Sequence, residues 1–361
     1  MPGHILTGAY DNTVRIYSEG QELLHTLRSH TGAVTGLAAF NAPGEYGLGE
    51  GQVVASSSHD RSVHLHYIPT TGEPTLLTTL HTSPAQVSSV AVNAQGSSLV
   101  TATWDGLVGL FNTSLPTSHE LPAEEDAESS RKKRRKLAPT ATEGEEAREV
   151  FRKAPELVLR GHQGKVSKAV WDLDGRSVFS AGWDFTVRQW DAGTGVQGVV
   201  KTTPDRVHLT LGRMAGTAPL LATGTSDRSV CIFDLRAPTT VQLTLPHSSP
   251  VPSVVPHPTA PHLLTSATLS GVLQIWDLRA PRESLVRVQR EGGKCLCVDW
   301  KVRGEGGEGL WATGGEDRKV QVWRTGTGGA GTTVGATAVG VERVQGTDVD
   351  GARPAAVAAT A

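Results

Sequence analysis

Short segments in which apolar and polar side chains alternate recur along the chain. Residues 186–190 (TVRQW) and 229–233 (SVCIF) carry apolar side chains at close to every second position. This period is typical of β-strands with one buried face. Asp184 and Asp227 stand two residues before these segments, where a turn from a preceding strand is expected. The pattern therefore predicts a succession of short antiparallel strands joined by tight turns.

The same sequence unit returns seven times. Each copy has small or hydroxyl-bearing residues, then an Asp at the turn, then a ring-bearing residue six positions later. The turn position is occupied in order by Asp11, Asp60, Asp105, Asp184, Asp227, Ser270 and Asp317. Successive turn positions lie about 45 residues apart, which is typical of propeller repeats, and about 35 additional residues separate the third copy from the fourth. The repeat predicts an all-β chain of seven similar units.

The unit resembles the repeat of the WD40 β-propeller family. The strand-ending Trp-Asp pair of that family occupies positions 190–191 and 276–277, and its Gly-His pair occupies positions 161–162. The resemblance implies a seven-bladed WD40 β-propeller, in which four-stranded sheets close into a ring. The additional residues between the third and fourth copies form a charged insertion after the third repeat, which is predicted to be disordered.

The fourth unit carries a full set of side chains for a hydrogen-bond chain that would stabilise its blade. We expect the chain to run from Asp184 through His162 and Ser180 to Trp190. Imidazoles occupy the matching position in three other units, at His30, His81 and His247. No matching His is evident in the fifth or seventh unit, and Ser270 replaces Asp in the sixth, so we expect these blades to be held less firmly. Because these residues repeat in every unit, we interpret them as structural, with no catalytic residue, metal site or cofactor indicated.

The repeats divide the chain into four parts. Repeats 1 to 3 occupy residues 1–111, a charged insertion 112–156, repeats 4 to 7 residues 157–323, and a Gly-, Ala- and Thr-rich tail 324–361. Since the chain begins inside a blade, we expect the first blade to be incomplete at its N-terminus and interpret Met1 as a late start. Residues 333–341 (TVGATAVGV) are the predicted closing strand.

The insertion is dense in charge and poor in apolar residues, which predicts disorder. Its basic run consists of Arg131, Lys132, Lys133, Arg134, Arg135 and Lys136. An accessible cluster of cations is typical of a nuclear localisation signal, and we interpret the run in this way. Contact with phosphate groups is one alternative, and a solvated linker without a partner is the other.

Composition narrows the class of protein. The formal net charge is −2, from 34 basic and 36 acidic residues. This balance excludes a protein that coats nucleic acid with its whole surface. Three cysteines are too few for a disulfide framework and indicate a reducing compartment. No apolar run approaches the roughly 20 residues of a membrane-spanning helix, so no membrane partner is expected.

Large rings stand directly before the turn position in the first four units. These residues are Tyr10, His59, Trp104 and Trp183. In WD40 proteins these turns lie on one face of the ring, called the top face below, so neighbouring blades would present the rings as an arc. Exposed aromatic side chains favour protein binding. The alternative is that the rings pack over the turns of neighbouring blades.

Local strings extend the resemblance to one family of propellers. Residues 5–11 (ILTGAYD), 180–191 (SAGWDFTVRQWD) and 270–279 (SGVLQIWDLR), together with the charged insertion, are similar to the WD-repeat subunit of the pescadillo (PeBoW) complex. The resemblance implies a non-enzymatic scaffold in nucleolar assembly of the large (60S) ribosomal subunit and in maturation of its pre-rRNA. It implies a second propeller protein, a pescadillo homologue and pre-60S particles as partners, in the nucleus, nucleolus and nucleoplasm.

The resemblance leaves open the release step, direct contact with RNA and the exact function. The family carries an N-terminal ubiquitin-like domain that an AAA ATPase grips, and this sequence shows no such domain, which puts that release step in doubt. Direct contact with RNA is not decided by the pattern. Another WD40 adaptor, such as a substrate receptor of a ubiquitin ligase or a chromatin module, is the alternative function.

Overall fold

A computed structural model of the chain describes residues 4–18, 20, 22–42, 44–115, 151–238, 240–303, 308–326, 340–348 and 354–359. These residues form strands β1 to β29 and one short 3-10 helix, Gly44–Tyr46. Within this part of the chain the strands make seven sheets. The inner strand of each sheet contacts the inner strands of both neighbouring sheets, so the sheets close into a seven-bladed β-propeller.

The first three blades each include one strand from elsewhere in the chain. Blade 1 contains β29 (Pro354–Ala359), β1 (His4–Ala9), β2 (Val14–Ser18) and β3 (Leu23–Leu27), from the centre outward. Blade 2 contains β4 (Val34–Asn41), β5 (Gly51–Ser58), β6 (Ser62–Pro69), β7 (Thr75–His81) and β11 (Phe151–Lys153). Blade 3 contains β8 (Val87–Val92), β9 (Ser98–Thr103), β10 (Leu107–Asn112) and β12 (Leu157–Arg160).

The remaining blades are four-stranded antiparallel meanders. Blade 4 contains β13 (Val166–Trp171), β14 (Ser177–Gly182), β15 (Thr186–Asp191) and β16 (Gln197–Thr202). Blade 5 contains β17 (His208–Arg213), β18 (Leu220–Thr225), β19 (Ser229–Asp234) and β20 (Leu243–Pro246). Blade 6 contains β21 (Ser253–Pro256), β22 (Leu263–Ala267), β23 (Val272–Asp277) and β24 (Val286–Gln289). Blade 7 contains β25 (Cys295–Arg303), β26 (Glu308–Gly315), β27 (Lys319–Gly326) and β28 (Gly340–Asp348).

The apolar core lies between neighbouring blades because each sheet buries both of its faces. One cluster joins Val100 and Val108 of blade 3 to Val166, Val178 and Trp190 of blade 4. All five side chains are almost fully buried. Burial of a large apolar side chain contributes about 1.5–3 kcal/mol. Each blade boundary therefore stabilises two blades at once.

Hydroxyl groups add a second link between the inner strands of blades 2 to 5. Each donor lies at a β-bulge, where the register of an inner strand shifts by one residue. Thr35 Oγ1 donates to the carbonyl of Val87 at 2.7 Å, and Ser88 Oγ donates to that of Val166 at 2.5 Å. Ser167 continues the series to His208 at 2.5 Å. The bulge lets each hydroxyl reach the next blade, while Thr35 and Ser88 also hydrogen-bond within their own sheets, to Ser57 Oγ and to the carbonyl of Ala102.

The ring is closed by strands from the C-terminal tail, which differs in two ways from expectation. The expected gap at the centre of blade 1 is wrong, because β29 pairs there with β1, with Ile5 opposite Ala359. The outer strand of blade 7 is β28, which shares residues 340–341 with the predicted closing strand 333–341; residues 333–339 lie outside the described residues. β28 pairs along the whole of β27.

The end of the predicted disordered insertion is a strand, which corrects its boundary at 156. Residues 116–150 lie outside the described residues, but β11 adds a parallel fifth strand to the edge of β7. The Lys153 ammonium is buried and donates to the carbonyl of Ser114 at 3.0 Å and of Asn112 at 3.2 Å. Charge density predicts disorder for residues 151–153. They form a strand instead, because the edge of β7 is open and backbone carbonyl oxygens accept hydrogen bonds from the Lys153 ammonium.

Candidate protein-binding face

The turn before the third strand has the same conformation in all seven blades. The residue after the turn position has a positive φ in each case: Asn12 (68°), Arg61 (73°), Gly106 (86°), Phe185 (64°), Arg228 (67°), Gly271 (80°) and Arg318 (64°). This conformation costs a residue with a side chain roughly 1–2 kcal/mol. It turns the chain sharply, so the residues on both sides of the Asp lie on the top face.

In blade 4 the four expected side chains lie in one continuous chain of hydrogen bonds. His162 Nδ1 donates to both carboxylate oxygens of Asp184 at 2.9 Å, and Nε2 accepts from Ser180 Oγ at 2.7 Å. Trp190 Nε1 donates to the same Ser180 oxygen at 2.8 Å. Burial alone raises the pKa of Asp184, but hydrogen bonds from His162, Gln163 and Thr186 lower it overall. The carboxylate therefore stays ionised at the top of the chain. The stabilising role of this chain stays a prediction.

Blade 2 has a similar chain of hydrogen bonds, but it has no tryptophan at the end of the chain. His30 Nδ1 donates to Asp60 at 2.8 Å, and Nε2 accepts from Ser56 Oγ at 2.9 Å. Where blade 4 has an indole, blade 2 has His66, and His64 stacks on His30 with ring centroids 4.0 Å apart. Burial and the neighbouring imidazoles lower the pKa of His64 to about 3. The imidazoles of His30 and His64 therefore form a buried stacked pair.

Two blades that lack the expected His use arginine at the turn carboxylate. Arg290 occupies the matching position in blade 7, is fully buried, and donates to Asp317 at 2.7 Å. In blade 5, Arg206 lies 3.0 Å from Asp227. His208, which the sequence reading missed, is buried in the same blade. The sequence feature that could have predicted these contacts is an arginine before an inner strand, because a guanidinium can bind a carboxylate as an imidazole does.

The remaining predicted imidazoles behave differently from one another. His247 Nε2 lies 2.7 Å from Ser266 Oγ, to which Trp276 Nε1 also donates at 3.1 Å, so blade 6 keeps three members of the chain. At its top, Ser270 contacts the hydroxyl of Ser249 at 3.2 Å. His81 lies exposed at the end of β7.

Three of the four predicted ring residues lie together on the top face. The rings of His59 and Trp104 meet edge to face with centroids 5.2 Å apart. The ammonium of Lys165 lies 3.7 Å from the Trp104 ring centroid and 4.9 Å from that of Trp183. The Trp104 side chain is 37% exposed and that of Trp183 is 48% exposed, so packing does not cover them. Together, His59, Trp104, Lys165 and Trp183 are called the aromatic arc below.

Tyr10, the fourth ring residue, lies at a separate part of the top face. Its side chain is 52% exposed and borders a concave patch with Lys294, Leu296 and Glu316. Lys294 and Glu316 form an ion pair at 3.0 Å. The sequence reading missed Lys165, although its place three residues after His162 puts it in a loop on the top face.

The remaining observations concern the basic run, metal binding and membrane-spanning helices. The basic run 131–136 lies outside the described residues. Within the described ranges, no His, Cys, Asp and Glu side chains group in a way that could hold a metal ion. Among the same residues, no helix has the length and apolar character needed to cross a membrane.

Comparison with known proteins places the propeller in a family. Residues 21–66, 74–112 and 153–191 match the family model "WD domain, G-beta repeat". The chain is 33% identical to "Ribosome biogenesis protein YTM1" of Laccaria bicolor over 338 residues, which cover 89% of this chain and 73% of that protein. The chain belongs to the YTM1/WDR12 family. The YTM1 protein of Coprinopsis cinerea is 30% identical, with 88% and 73% covered, and the "WDR12 homolog" of Arabidopsis thaliana is 29% identical, with 89% and 71% covered.

In this YTM1/WDR12 family member, the ranges that match the WD repeat coincide with part of the top face. The matched ranges include all four members of the aromatic arc. The ion pairs of Arg206 and Arg290 lie outside the matched ranges. The units closest to the general repeat are therefore those that carry the arc.

Proposed function

We propose that this chain is a non-enzymatic scaffold in nucleolar assembly of the large (60S) ribosomal subunit and in maturation of its pre-rRNA. In this role it acts within a pescadillo-type complex, with a second propeller protein, a pescadillo homologue and pre-60S particles as partners. Three relatives are named as ribosome biogenesis proteins, which supports the process. The propeller fold supports the role of a scaffold, because the repeated imidazole and hydroxyl side chains of blades 2, 4 and 6 hydrogen-bond within their own blades.

The aromatic arc is the observation that carries the proposal for partner binding. Trp104 and Trp183 are large, partly exposed, and held in place by the ammonium of Lys165 between them. Cation–π contacts of this kind are worth about 0.5–2 kcal/mol and keep the rings in defined positions. Preorganised tryptophans are frequent anchors of protein interfaces, where truncation costs about 2 kcal/mol or more. We therefore assign the arc to the contact with the second propeller protein.

Direct binding measurements with purified partners test this assignment. In the double variant Trp104→Ala and Trp183→Ala, we expect the Kd for the second propeller protein to rise at least about tenfold. The matched control, Leu173→Ala with Val196→Ala, removes exposed apolar side chains at turns on the opposite face and should leave the Kd unchanged. Thermal unfolding verifies that both variants fold. An unchanged Kd in the folded arc variant would remove the arc from the interface.

Affinity purification with RNA analysis tests the process itself. Recovery of large-subunit precursors together with a pescadillo homologue is the expected result. Recovery of cullin or histone partners without these precursors would instead favour a ubiquitin-ligase receptor or a chromatin adaptor.

We also propose that the basic run 131–136 directs the protein to the nucleus, nucleolus and nucleoplasm. Six consecutive cations suit the acidic pockets of an import carrier. Replacing residues 132–136 with Ala should abolish nuclear accumulation of the tagged chain. If accumulation persists and instead binding to RNA loses its salt dependence, the run contacts phosphate groups and the import proposal is wrong.

A further inference from the structure

Lys165, in the aromatic arc, carries a charge that no carboxylate compensates within the described part of the chain. Its ammonium lies over the rings of Trp104 and Trp183, at 3.7 and 4.9 Å from their centroids. A ring face attracts a cation, but it does not accept the three N–H groups of an ammonium as carboxylate oxygens do. The ammonium forms no hydrogen bond or ion pair with the described residues, and it reaches solvent.

The equivalent lysine of blade 7 shows which group this position can pair with. Lys165 and Lys294 each stand one residue before an inner strand. Their backbone carbonyls accept hydrogen bonds from the residue before the turn Asp, which is Trp183 at 2.8 Å in blade 4 and Glu316 at 3.2 Å in blade 7. Glu316 also forms an ion pair with Lys294 at 3.0 Å. A tryptophan at the place of this glutamate leaves Lys165 without a carboxylate.

The turn carboxylates that follow the ring residues are engaged within their own blades. Asp60 and Asp184 each contact an imidazole of their own blade, at 2.8 and 2.9 Å. Asp105 accepts a hydrogen bond from the backbone N–H of Leu107 at 3.3 Å. None of the three forms an ion pair with Lys165. The ammonium is therefore available to a carboxylate of another molecule.

Binding at the arc would make this unpaired charge decisive. The inference rests on the proposed function, in which the arc contacts a protein partner. A partner that covers Trp104 and Trp183 must also exclude water from the ammonium between them, and burying an unpaired charge is costly. A charge-assisted hydrogen bond to a carboxylate offsets this cost. We propose that the partner of the arc places an Asp or Glu carboxylate on Lys165, with apolar side chains beside it over the two tryptophans.

A phosphate chain is the alternative anion. Single-stranded nucleic acid also stacks on aromatic rings, but a row of cations holds its backbone. Lys165 is the only lysine or arginine of the aromatic arc, and one cation suits one carboxylate.

The indole N–H NMR signals of Trp104 and Trp183 in the full-length ¹⁵N-labelled protein provide the test. The probes are acetyl-Leu-Glu-Leu-amide, its uncharged analogue acetyl-Leu-Gln-Leu-amide, and decauridylate RNA, each at up to millimolar concentration. We expect saturable shifts of both indole signals with the glutamate peptide. Its Kd should be at least about tenfold lower than that of the glutamine peptide.

The imidazole of His59 reports on the same charge. Burial lowers the pKa of His59, Asp60 raises it, and the ammonium of Lys165 lowers it. A carboxylate bound to Lys165 should therefore raise the pKa of His59 in an NMR titration, and Lys165→Met without peptide should raise it as well. An unchanged pKa of His59 at saturation with the glutamate peptide would place the carboxylate elsewhere and overturn the proposal.

Variants of two equivalent lysines separate the arc from the rest of the top face. Lys165→Met keeps an apolar stem without the charge and should abolish the preference for the glutamate peptide, whereas Lys165→Arg should keep it. Lys294→Met is the matched control, because that lysine already has Glu316 as a partner, and it should bind both peptides like the wild type. Three outcomes would refute the inference: equal binding of the two peptides, an unchanged preference in Lys165→Met, or saturable binding of decauridylate alone.

Binding of the purified second propeller protein distinguishes this inference from the proposed function. If Trp104→Ala with Trp183→Ala weakens that binding and Lys165→Met does not, only the carboxylate inference is wrong. If the tryptophan variant binds the second propeller protein normally while the preference for the glutamate peptide holds, the proposed interface is wrong and the carboxylate inference stands.

Discussion

The imidazole of His208 is expected to make this protein lose stability in mildly acidic solution. The side chain is completely buried on β17, with Nε2 2.9 Å from Thr203 Oγ1 and Nδ1 3.1 Å from Thr223 Oγ1. Two hydroxyl partners satisfy a neutral imidazole, which donates from one nitrogen and accepts with the other. Burial disfavours the charged form and lowers the pKa of His208 from 6.5 to about 4.

The direction of the effect follows from proton linkage. Because the pKa of His208 is lower in the folded protein, the unfolded chain binds more protons between pH 6.5 and about pH 4. The stability that neutral His208 contributes is therefore fully present above pH 6.5 and is lost as the pH falls toward 4. Each pKa unit corresponds to about 1.4 kcal/mol, so the full loss is about 3 kcal/mol.

Urea unfolding of the wild type and His208→Gln at several pH values between 7 and 4 measures this loss. Glutamine can hydrogen-bond to the threonine hydroxyls but does not titrate. We expect the stability advantage of the wild type over the variant to shrink by up to about 1.4 kcal/mol per pH unit below pH 6.5. Other buried histidines, such as His66 with a pKa lowered to about 4 by burial, affect both proteins equally.

Thr223→Val is the matched control for this experiment. It removes one hydrogen bond to the imidazole but keeps the titrating group, so its stability should fall with pH at least as steeply as that of the wild type. If His208→Gln and the wild type instead follow parallel pH profiles, His208 does not titrate on unfolding and the argument from its burial is refuted.

Two further substitutions test the side chains that hold the blades. Ser180→Ala leaves the ring nitrogens of His162 and Trp190 without their shared partner, so we expect the free energy of unfolding to fall by about 2–4 kcal/mol in urea titrations. Arg290→Met leaves the Asp317 carboxylate without its buried ion pair, and we expect calorimetry to report a loss of about 3–5 kcal/mol.

Matched variants test whether the stability losses of Ser180→Ala and Arg290→Met come from the contacts described. Ser177→Ala removes a half-buried hydroxyl from the same strand as Ser180 and should change the free energy of unfolding by less than about 0.5 kcal/mol. Equal losses from the two serine variants would contradict the role given to Ser180. Adding Asp317→Asn to Arg290→Met should recover part of the loss, since no carboxylate then remains unpaired; a further loss would argue against the ion pair.

The repeated part of this fold could be predicted from the sequence alone. A unit of about 45 residues repeats its turn carboxylate and its strand alternation, and both depend only on near neighbours in sequence. For the same reason the hydrogen-bond set of blade 4 could be named residue by residue. The ring residues before the turns of the first four units were predicted to share a face from the resemblance to WD40 proteins.

Only the folded ring reveals the pairings between distant segments. The places of β29, β28 and β11 depend on which strand edges remain open once the seven sheets have formed, and no local pattern records this. The same holds for Lys165 between the two tryptophans and for Arg290 in place of an imidazole. Residues far apart in sequence become partners through burial and hydrogen bonding, so their roles emerge only when the blades pack together.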